Sequence, residues 1–273
     1  MSADSIDNVD NSARSVGKLI GRIRAAAVAA ADRMGPDQGL DEKVRDASDY
    51  WTSREGGHWE SNSHWRSGLG DQTWREVGEE HLSILRMFAT ALGGSAADFG
   101  TVVDWGCGGG AVAAALAPLS NRMLIADVVP ETLAECEAQI RSGSDTPLDK
   151  LEVNLANPEK AAAPYANQCD TFICIYVIEL TADPAEALRI VRIATQMLKS
   201  GGMAVFQVKY RANARFVGPV KRAYRRNLAN MTVFSIDEFW SELEKNGLTP
   251  KLITLVPRTR LDRNYAYFAA VKP

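Results

Sequence analysis

From about residue 100 onward, short apolar runs alternate with stretches whose apolar residues recur at helical spacing. The apolar runs predict five β-strands, near residues 101–105, 122–126, 150–154, 170–177 and 202–209. The stretches between them predict helices near residues 110–118, 130–141 and 184–198. Strands that alternate with helices in this way favour a doubly wound α/β fold around a parallel sheet.

The pattern changes after the fifth predicted strand. A helix begins after a capping serine, Ser235, and ends before Asn246 and Gly247. Two strands follow it directly, near residues 250–256 and 265–271. Consecutive strands with no helix between them predict an antiparallel hairpin.

The first hundred residues have a different pattern, which predicts a helical cap with long loops. Residues 1–14 are polar and predict a mobile tail. Apolar positions at helical spacing predict one helix over residues 15–34 and a second over residues 73–92. We therefore divide the chain into the tail, a cap and lid over residues 15–98, and an α/β domain over residues 99–273 with an insertion near 210–230.

The first predicted strand ends in a carboxylate and continues into a glycine-rich turn, Asp104-Trp105-Gly106-Cys107-Gly108-Gly109-Gly110. Glycines let a ligand approach the main chain closely, so the turn predicts a cofactor site. Gly106, Gly108 and Ala111 also fit the dinucleotide fingerprint, which leaves a nicotinamide-dependent (NAD) oxidoreductase as an alternative. Asp104 argues against that alternative, because a fixed carboxylate there would repel a pyrophosphate and would suit a cationic ligand.

The same residues resemble the first motif of the class I S-adenosylmethionine (SAM) dependent methyltransferases. The second predicted strand ends in another carboxylate, Asp127, as in that family. The resemblance continues through the third strand, through the fourth strand to Glu179, and through the glycine turn before the fifth strand. It covers about residues 100–210 and departs from the family at Leu180, where members often have a histidine.

The resemblance implies a Rossmann-like fold with a seven-stranded sheet that ends in the antiparallel hairpin. It also implies SAM as the cofactor and S-adenosylhomocysteine (SAH) as its product. In this interpretation Asp104 holds the methionine moiety, and Asp127 accepts hydrogen bonds from both ribose hydroxyls. The predicted cofactor-binding residues are Asp104, Gly106, Gly108, Asp127, Val128, Asn154, Leu155 and Ile175.

Composition and charge disfavour several other classes of protein. The 273 residues carry a formal net charge of −3, so the chain lacks the broad basic field that duplex nucleic acid binding needs. No apolar run is long enough for a membrane span, and the acidic start has no signal-peptide core, which predicts a cytoplasmic protein. The four cysteines form no C-x-x-C pair, which predicts reduced thiols and no metal site.

The segment between Tyr50 and His81 contains four of the six tryptophans and all three histidines. Its glycines predict loops, and we interpret it as a lid over the acceptor; for any one tryptophan, packing of the N-terminal helices is the alternative. A basic stretch follows the fifth strand and could attract an anionic group. The predicted acceptor-binding residues are Trp59, Trp65, Trp74, Tyr176 and Arg211.

A hydroxyl acceptor needs a general base. The candidates are His58 and His64 in the lid and Glu179 at the end of the fourth strand. The sequence thus predicts methyl transfer to a hydroxyl oxygen of a small polar molecule, with a sugar or glycoside ranked slightly ahead of an aromatic or other secondary metabolite. N-methylation of an amine and a non-catalytic SAM-binding role stay open, and a second copy of the chain is a candidate partner.

Overall fold

The structure, a computed structural model, describes residues 38–52, 63–210, 224 and 232–273. The predicted tail and the helix predicted over residues 15–34 lie outside the described residues. So do three of the predicted site residues, His58, Trp59 and Arg211.

Eight helices and seven strands make up the described part of the chain. The helices are α1 (Leu40–Thr52), α2 (Arg66–Leu69), α3 (Asp71–Ala91), α4 (Ala111–Leu116), α5 (Pro130–Arg141), α6 (Glu159–Ala162), α7 (Pro184–Met197) and α8 (Ile236–Lys245). The strands are β1 (Thr101–Trp105), β2 (Arg122–Asp127), β3 (Leu148–Glu152), β4 (Cys169–Cys174), β5 (Leu198–Lys209), β6 (Thr249–Arg258) and β7 (Arg263–Val271). None of these helices combines the length and the apolar character that crossing a bilayer requires.

All seven strands belong to one sheet, in the order β3-β2-β1-β4-β5-β7-β6. Neighbouring strands from β1 to β5 pair in parallel, whereas β7 is antiparallel to both β5 and β6. This topology confirms the predicted Rossmann-like α/β fold with a C-terminal antiparallel hairpin. Because the strand order reverses between β1 and β4, the loops after these strands diverge and leave a crevice at the carboxyl edge of the sheet.

Apolar layers cover both faces of the sheet. Successive residues of a strand point to opposite faces, so Val102 packs toward α3, α4 and α5, while Val103 packs toward α7 and α8. Phe88 of α3 is buried in the first layer, and Phe172 and Phe239 are buried in the second. Strands that are apolar on both faces are expected when helices cover both sides of a parallel sheet.

The observed elements differ from the predicted ones at several places. Helix α1 lies where the sequence analysis predicts no helix. Strand β4 ends at Cys174 instead of near residue 177, because Tyr176 has a left-handed backbone (φ 58°) that cannot continue a strand. Strand β5 begins at Leu198 instead of near residue 202, directly after α7 ends.

Phe239 provides a test of the α8 layer, because its buried ring contacts Phe206, Phe234 and Phe268 at centroid distances of 5.9, 5.1 and 5.0 Å. Phe239→Ala is expected to lower the free energy of unfolding by about 3–5 kcal/mol, since rigid rings around the gap cannot close it. Urea unfolding measures the change. Leu255→Ala is the control, because that side chain is 48% exposed and should cost less than about 1 kcal/mol. An equal loss for the two variants would contradict this account of the core.

Candidate functional site

The turn after β1 requires glycine for steric and conformational reasons. Gly106, Gly108 and Gly110 have φ angles of 80°, 50° and 78°, in the left-handed region. A Cβ atom on Gly106 would lie 2.3 Å from Cγ2 of Val177, in the loop after β4. The turn therefore keeps its main chain accessible between the ends of β1 and β4.

Residues 63–65 of the predicted lid lie directly against this turn. The N–H of Gly109 donates to the carbonyl oxygen of Ser63 at 2.6 Å, and the indole Nε1 of Trp74 donates to the carbonyl oxygen of Gly109 at 3.0 Å. Cβ atoms on Gly108 and Gly109 would approach the carbonyl oxygens of Ser63 and His64 to 2.6 and 2.4 Å. The missing side chains thus let the cap dock, and both polar backbone groups of Gly109 serve that contact.

A buried carboxylate, Asp104, and a partly buried one, Asp127, lie beside the turn. Burial raises the pKa of Asp104 to about 7, and the neighbouring charge of Asp127 adds to the rise. Burial also raises the pKa of Asp127 to about 6, although its oxygens accept N–H groups from Gly108 at 3.1 Å and Val129 at 3.2 Å. Each carboxylate would be stabilised by a cation or by hydroxyl donors, and SAM offers both in its ammonium group and its ribose. The pair therefore fits the predicted cofactor.

One cavity at the carboxyl edge of the sheet brings the predicted cofactor site together. Asp104, Asp127 and every other predicted cofactor-binding residue except Asn154 line it. Asn154 is exposed, and its Oδ1 accepts the N–H of Ala156 at 2.9 Å. Its neighbours Val153 and Leu155 line the cavity instead, which offers an apolar surface where the prediction has an amide.

His64 and Tyr176 both line the cavity and contact each other, and both have unusual backbones. Their φ angles are 56° and 58°, and the other left-handed residues among the described ones, apart from glycines, are asparagines, which adopt this conformation easily. The two rings meet edge to face, with centroids 5.1 Å apart. Non-glycine residues with such backbones cost energy and concentrate at functional sites.

The imidazole of His64 is neutral at physiological pH. Burial lowers its pKa to about 4, and the neighbouring His81 adds to the fall. Neither ring nitrogen of His64 hydrogen-bonds to a residue that the structure describes. His64 therefore presents an unprotonated nitrogen that is available to a molecule in the cavity.

A buried polar network holds Tyr176 from behind. Its N–H donates to Oε1 of Gln207 at 2.6 Å, and Nε2 of Gln207 donates to the hydroxyl oxygen of Tyr267 at 2.8 Å. The carbonyl of Val77 can only accept, so the contact of 2.7 Å puts a proton on Nδ1 of His81. Nε2 of His81 then accepts the Tyr267 hydroxyl at 2.9 Å. His81 thus faces the core, in one neutral tautomer, and acts as a structural acceptor.

Glu179 lies outside the cavity lining. Oε1 accepts the Tyr265 hydroxyl at 2.8 Å, whereas Oε2 is the buried side-chain oxygen without a hydrogen-bond partner in the described part of the chain. Burial raises the pKa of Glu179, partly offset by that hydrogen bond and by the charge of Lys209. Its catalytic role stays a prediction.

Two tryptophans of the predicted lid, Trp65 and Trp74, pack on other parts of the protein and do not line the cavity. Trp65 packs on α5, where its Nε1 donates to Oγ1 of Thr132 at 3.4 Å, and Trp74 packs on the glycine turn. Neither lines the cavity, whereas Trp51 of α1 and Tyr224 do. Sequence reasoning missed both of these residues as lining residues. The sequence contains a signal that could have placed Trp51 on an amphipathic helix. This signal is an apolar stripe at helical spacing, formed by Leu40, Val44, Ala47 and Trp51.

Part of the chain matches a known protein family. Residues 103–204 match the family model described as a methyltransferase domain. Ubiquinone biosynthesis O-methyltransferase of Xanthomonas campestris pv. campestris (strain B100) is 28% identical over 115 residues, which is 42% of this chain and 45% of that relative. The match therefore spans less than half the length of the curated relative.

Solved structures share the fold. Magnesium protoporphyrin IX methyltransferase (ChlM) from Synechocystis PCC 6803 with bound SAH has a TM-score of 0.60 at 17% identity, over 84% of this chain and 99% of that one. The N-methyltransferase NodS from Bradyrhizobium japonicum WM9 in complex with SAH has a TM-score of 0.54 at 16% identity, over 85% and 99%. The family match confirms the predicted resemblance to methyltransferases, and these structures confirm the fold.

Asp104 makes a pH-dependent prediction for cofactor binding. With a pKa of about 7 it is mostly protonated at pH 6, and a bound ammonium group favours the carboxylate. SAH binding should therefore release close to one proton at pH 6 and about half a proton at pH 7. Calorimetry in two buffers of different ionisation enthalpy measures this release. At pH 7, where Asp127 with its pKa of about 6 is already mostly ionised, Asp104→Asn should nearly abolish the release and weaken binding by about tenfold or more.

Asp145→Asn is the matched control, because Asp145 is exposed and far along the chain from the turn. It should leave both the proton release and the affinity unchanged. Proton release that persists in Asp104→Asn would contradict the contact assigned to Asp104.

Proposed function

Residues 103–204 form a class I SAM-dependent methyltransferase domain, and we propose that the protein transfers the SAM methyl group to a hydroxyl oxygen of a small molecule, with His64 as general base. One observation carries the proposal: an unprotonated imidazole without a hydrogen-bond partner among the described residues faces Tyr176 in the cavity that contains the cofactor residues. The name of the O-methyltransferase relative supports the choice of oxygen.

The cofactor residues would hold SAM in one orientation. Asp127 would accept hydrogen bonds from the ribose hydroxyls, Asp104 would pair with the ammonium group, and the apolar side chains of Val128 and Leu155 would pack on the adenine. When bound, SAM supplies an activated methyl group on a sulfonium sulfur, and the sulfur keeps the bonding electron pair as the methyl leaves. The chain must position the acceptor, exclude water and remove one proton from the acceptor.

His64 can accept that proton. A hydroxyl oxygen is a poor nucleophile while it keeps its proton. The reaction therefore requires a base that is unprotonated at physiological pH. A pKa of about 4 keeps the imidazole unprotonated down to acidic pH. Glu179 is a weaker candidate, because its free oxygen is buried outside the cavity lining. His58 stays a candidate outside the described residues, and a cytoplasmic homodimer stays a prediction.

Three variants test the assignment of the base. His64→Asn removes the imidazole and keeps a residue that tolerates the left-handed backbone. It should lower kcat by about 100-fold or more, with the SAH dissociation constant within about threefold of the original. Glu179→Gln and His58→Asn should each change kcat by less than about tenfold. Initial rates of SAH formation and calorimetry measure the two quantities.

The pH profile of the unchanged protein provides a second readout. The base is active when neutral, so its pKa of about 4 predicts no loss of kcat between pH 8 and pH 5 from this group. Full activity of His64→Asn on a hydroxyl acceptor would overturn the proposal. Activity of that variant only on amines would favour N-methylation.

A further inference from the structure

We propose that the acceptor is a planar aromatic molecule that carries the reacting hydroxyl on its ring, rather than a sugar. The inference rests on the proposed O-methylation and names the substrate class of the same site. It comes from the part of the cavity that the cofactor residues do not form. We call this part the apolar wall, and it consists of Val44, Ala47, Trp51, Leu180, Ala182 and Tyr224.

The polar atoms of the apolar wall are paired with one another. Nε1 of Trp51 donates to the Tyr224 hydroxyl at 2.9 Å, and that hydroxyl donates to the carbonyl oxygen of Leu180 at 2.8 Å. The donor groups of both side chains are thereby used, and the Tyr224 oxygen already accepts one hydrogen bond. What remains on the cavity side is ring and aliphatic surface.

The polar side chains next to the apolar wall are also engaged. Oγ1 of Thr181 donates to the carbonyl oxygen of Ile178 at 2.8 Å, and both carboxylate oxygens of Glu186 accept from Arg189. The Tyr176 hydroxyl donates to Oγ1 of Thr259 at 3.0 Å. A sugar has a hydroxyl on nearly every carbon, and each hydroxyl that loses water without gaining a partner weakens binding. A flat aromatic ring makes no such demand and packs on Trp51 and Tyr224.

The same cavity also contains an unprotonated base. His64 lines it, and its imidazole has no hydrogen-bond partner among the described residues, so an acceptor with an apolar body and one hydroxyl matches the apolar wall together with one basic nitrogen. Acidity points the same way. An aromatic hydroxyl such as that of tyrosine has a pKa of about 10, whereas water-like hydroxyls lie near 15.7. A base as weak as His64 is better matched to the more acidic proton.

The step balances without another reactant. The bond between sulfur and methyl breaks, the bond between the ring oxygen and methyl forms, and the hydroxyl proton moves to His64. The products are the aryl methyl ether, SAH and a protonated imidazole, which loses its proton to solvent after release.

Binding to the SAH-loaded protein tests the inference independently of turnover. Phenol, cyclohexanol and methyl glucoside form a graded set, because cyclohexanol keeps the size and the hydroxyl of phenol but lacks the flat ring. Saturation-transfer NMR should give phenol at least about tenfold tighter binding than the glucoside and several-fold tighter than cyclohexanol. Glucoside binding as tight as that of phenol would overturn the inference.

Variants of Trp51 connect the preference to the apolar wall. Trp51→Ala should weaken phenol binding by about tenfold or more, and Trp51→Phe, which keeps a flat ring, should stay within about threefold. Both should bind SAH within about threefold of the unchanged protein, which shows that α1 is in place. Leu40→Ala, at an exposed position on the same helix, is the control and should change neither affinity. Unchanged phenol affinity in Trp51→Ala would overturn the inference.

Turnover of 2-aminophenol distinguishes failure of the proposed O-methylation from failure of the aromatic acceptor class, because this ring carries both a hydroxyl and an amine. Methylation at oxygen supports both proposals. Methylation at nitrogen would overturn the proposed O-methylation and leave the aromatic acceptor class standing. Methylation of the glucoside in preference to 2-aminophenol would overturn the aromatic acceptor and leave O-methylation standing.

Discussion

The site depends on a direct contact between two stretches of main chain. Because Gly108 and Gly109 have no Cβ, residues 63–65 can lie against the turn after β1, where Gly109 donates to the Ser63 carbonyl. The glycine turn therefore has two contacts, since it lines the cavity and also anchors the cap. This contact places His64 in the wall of the cavity. Any side chain at Gly109 would push the cap away and move that imidazole with it.

Two residues of the cavity have strained backbones, and polar contacts hold one of them, Tyr176, in place. His64 and Tyr176 both have positive φ angles, and each such residue costs about 1–3 kcal/mol. Tyr176 stays in place because Gln207 holds its N–H, Thr259 holds its hydroxyl, and aromatic rings pack around it. With its own hydrogen bonds complete, the ring of Tyr176 offers the cavity a surface of fixed position.

Sequence patterns predicted the parts of the structure that depend on neighbours along the chain. The local signals are the alternation of strands and helices, the terminal hairpin, and the carboxylates at the ends of β1 and β2. Each one located an element or a residue that lies where expected. Residues that meet only in the folded chain were predicted poorly. Clustering of tryptophans favoured Trp65 and Trp74 as acceptor contacts, yet their indoles pack on α5 and on the glycine turn. Trp51 and Tyr224 meet across 173 positions, a contact that no local pattern reports.

The spacing of these contacts has a consequence for the order of folding. The hydrogen bond that joins Gly108 to Asp127 closes a loop of 19 residues, whereas the one that joins His81 to Tyr267 spans 186. Loop-closure entropy grows with length, so the nucleoside pocket around β1 and β2 can assemble early, and the support of Tyr176 must wait for β7. A refolding chain thus can form the end of the cavity that holds Asp104 and Asp127 before it fixes the ring of Tyr176.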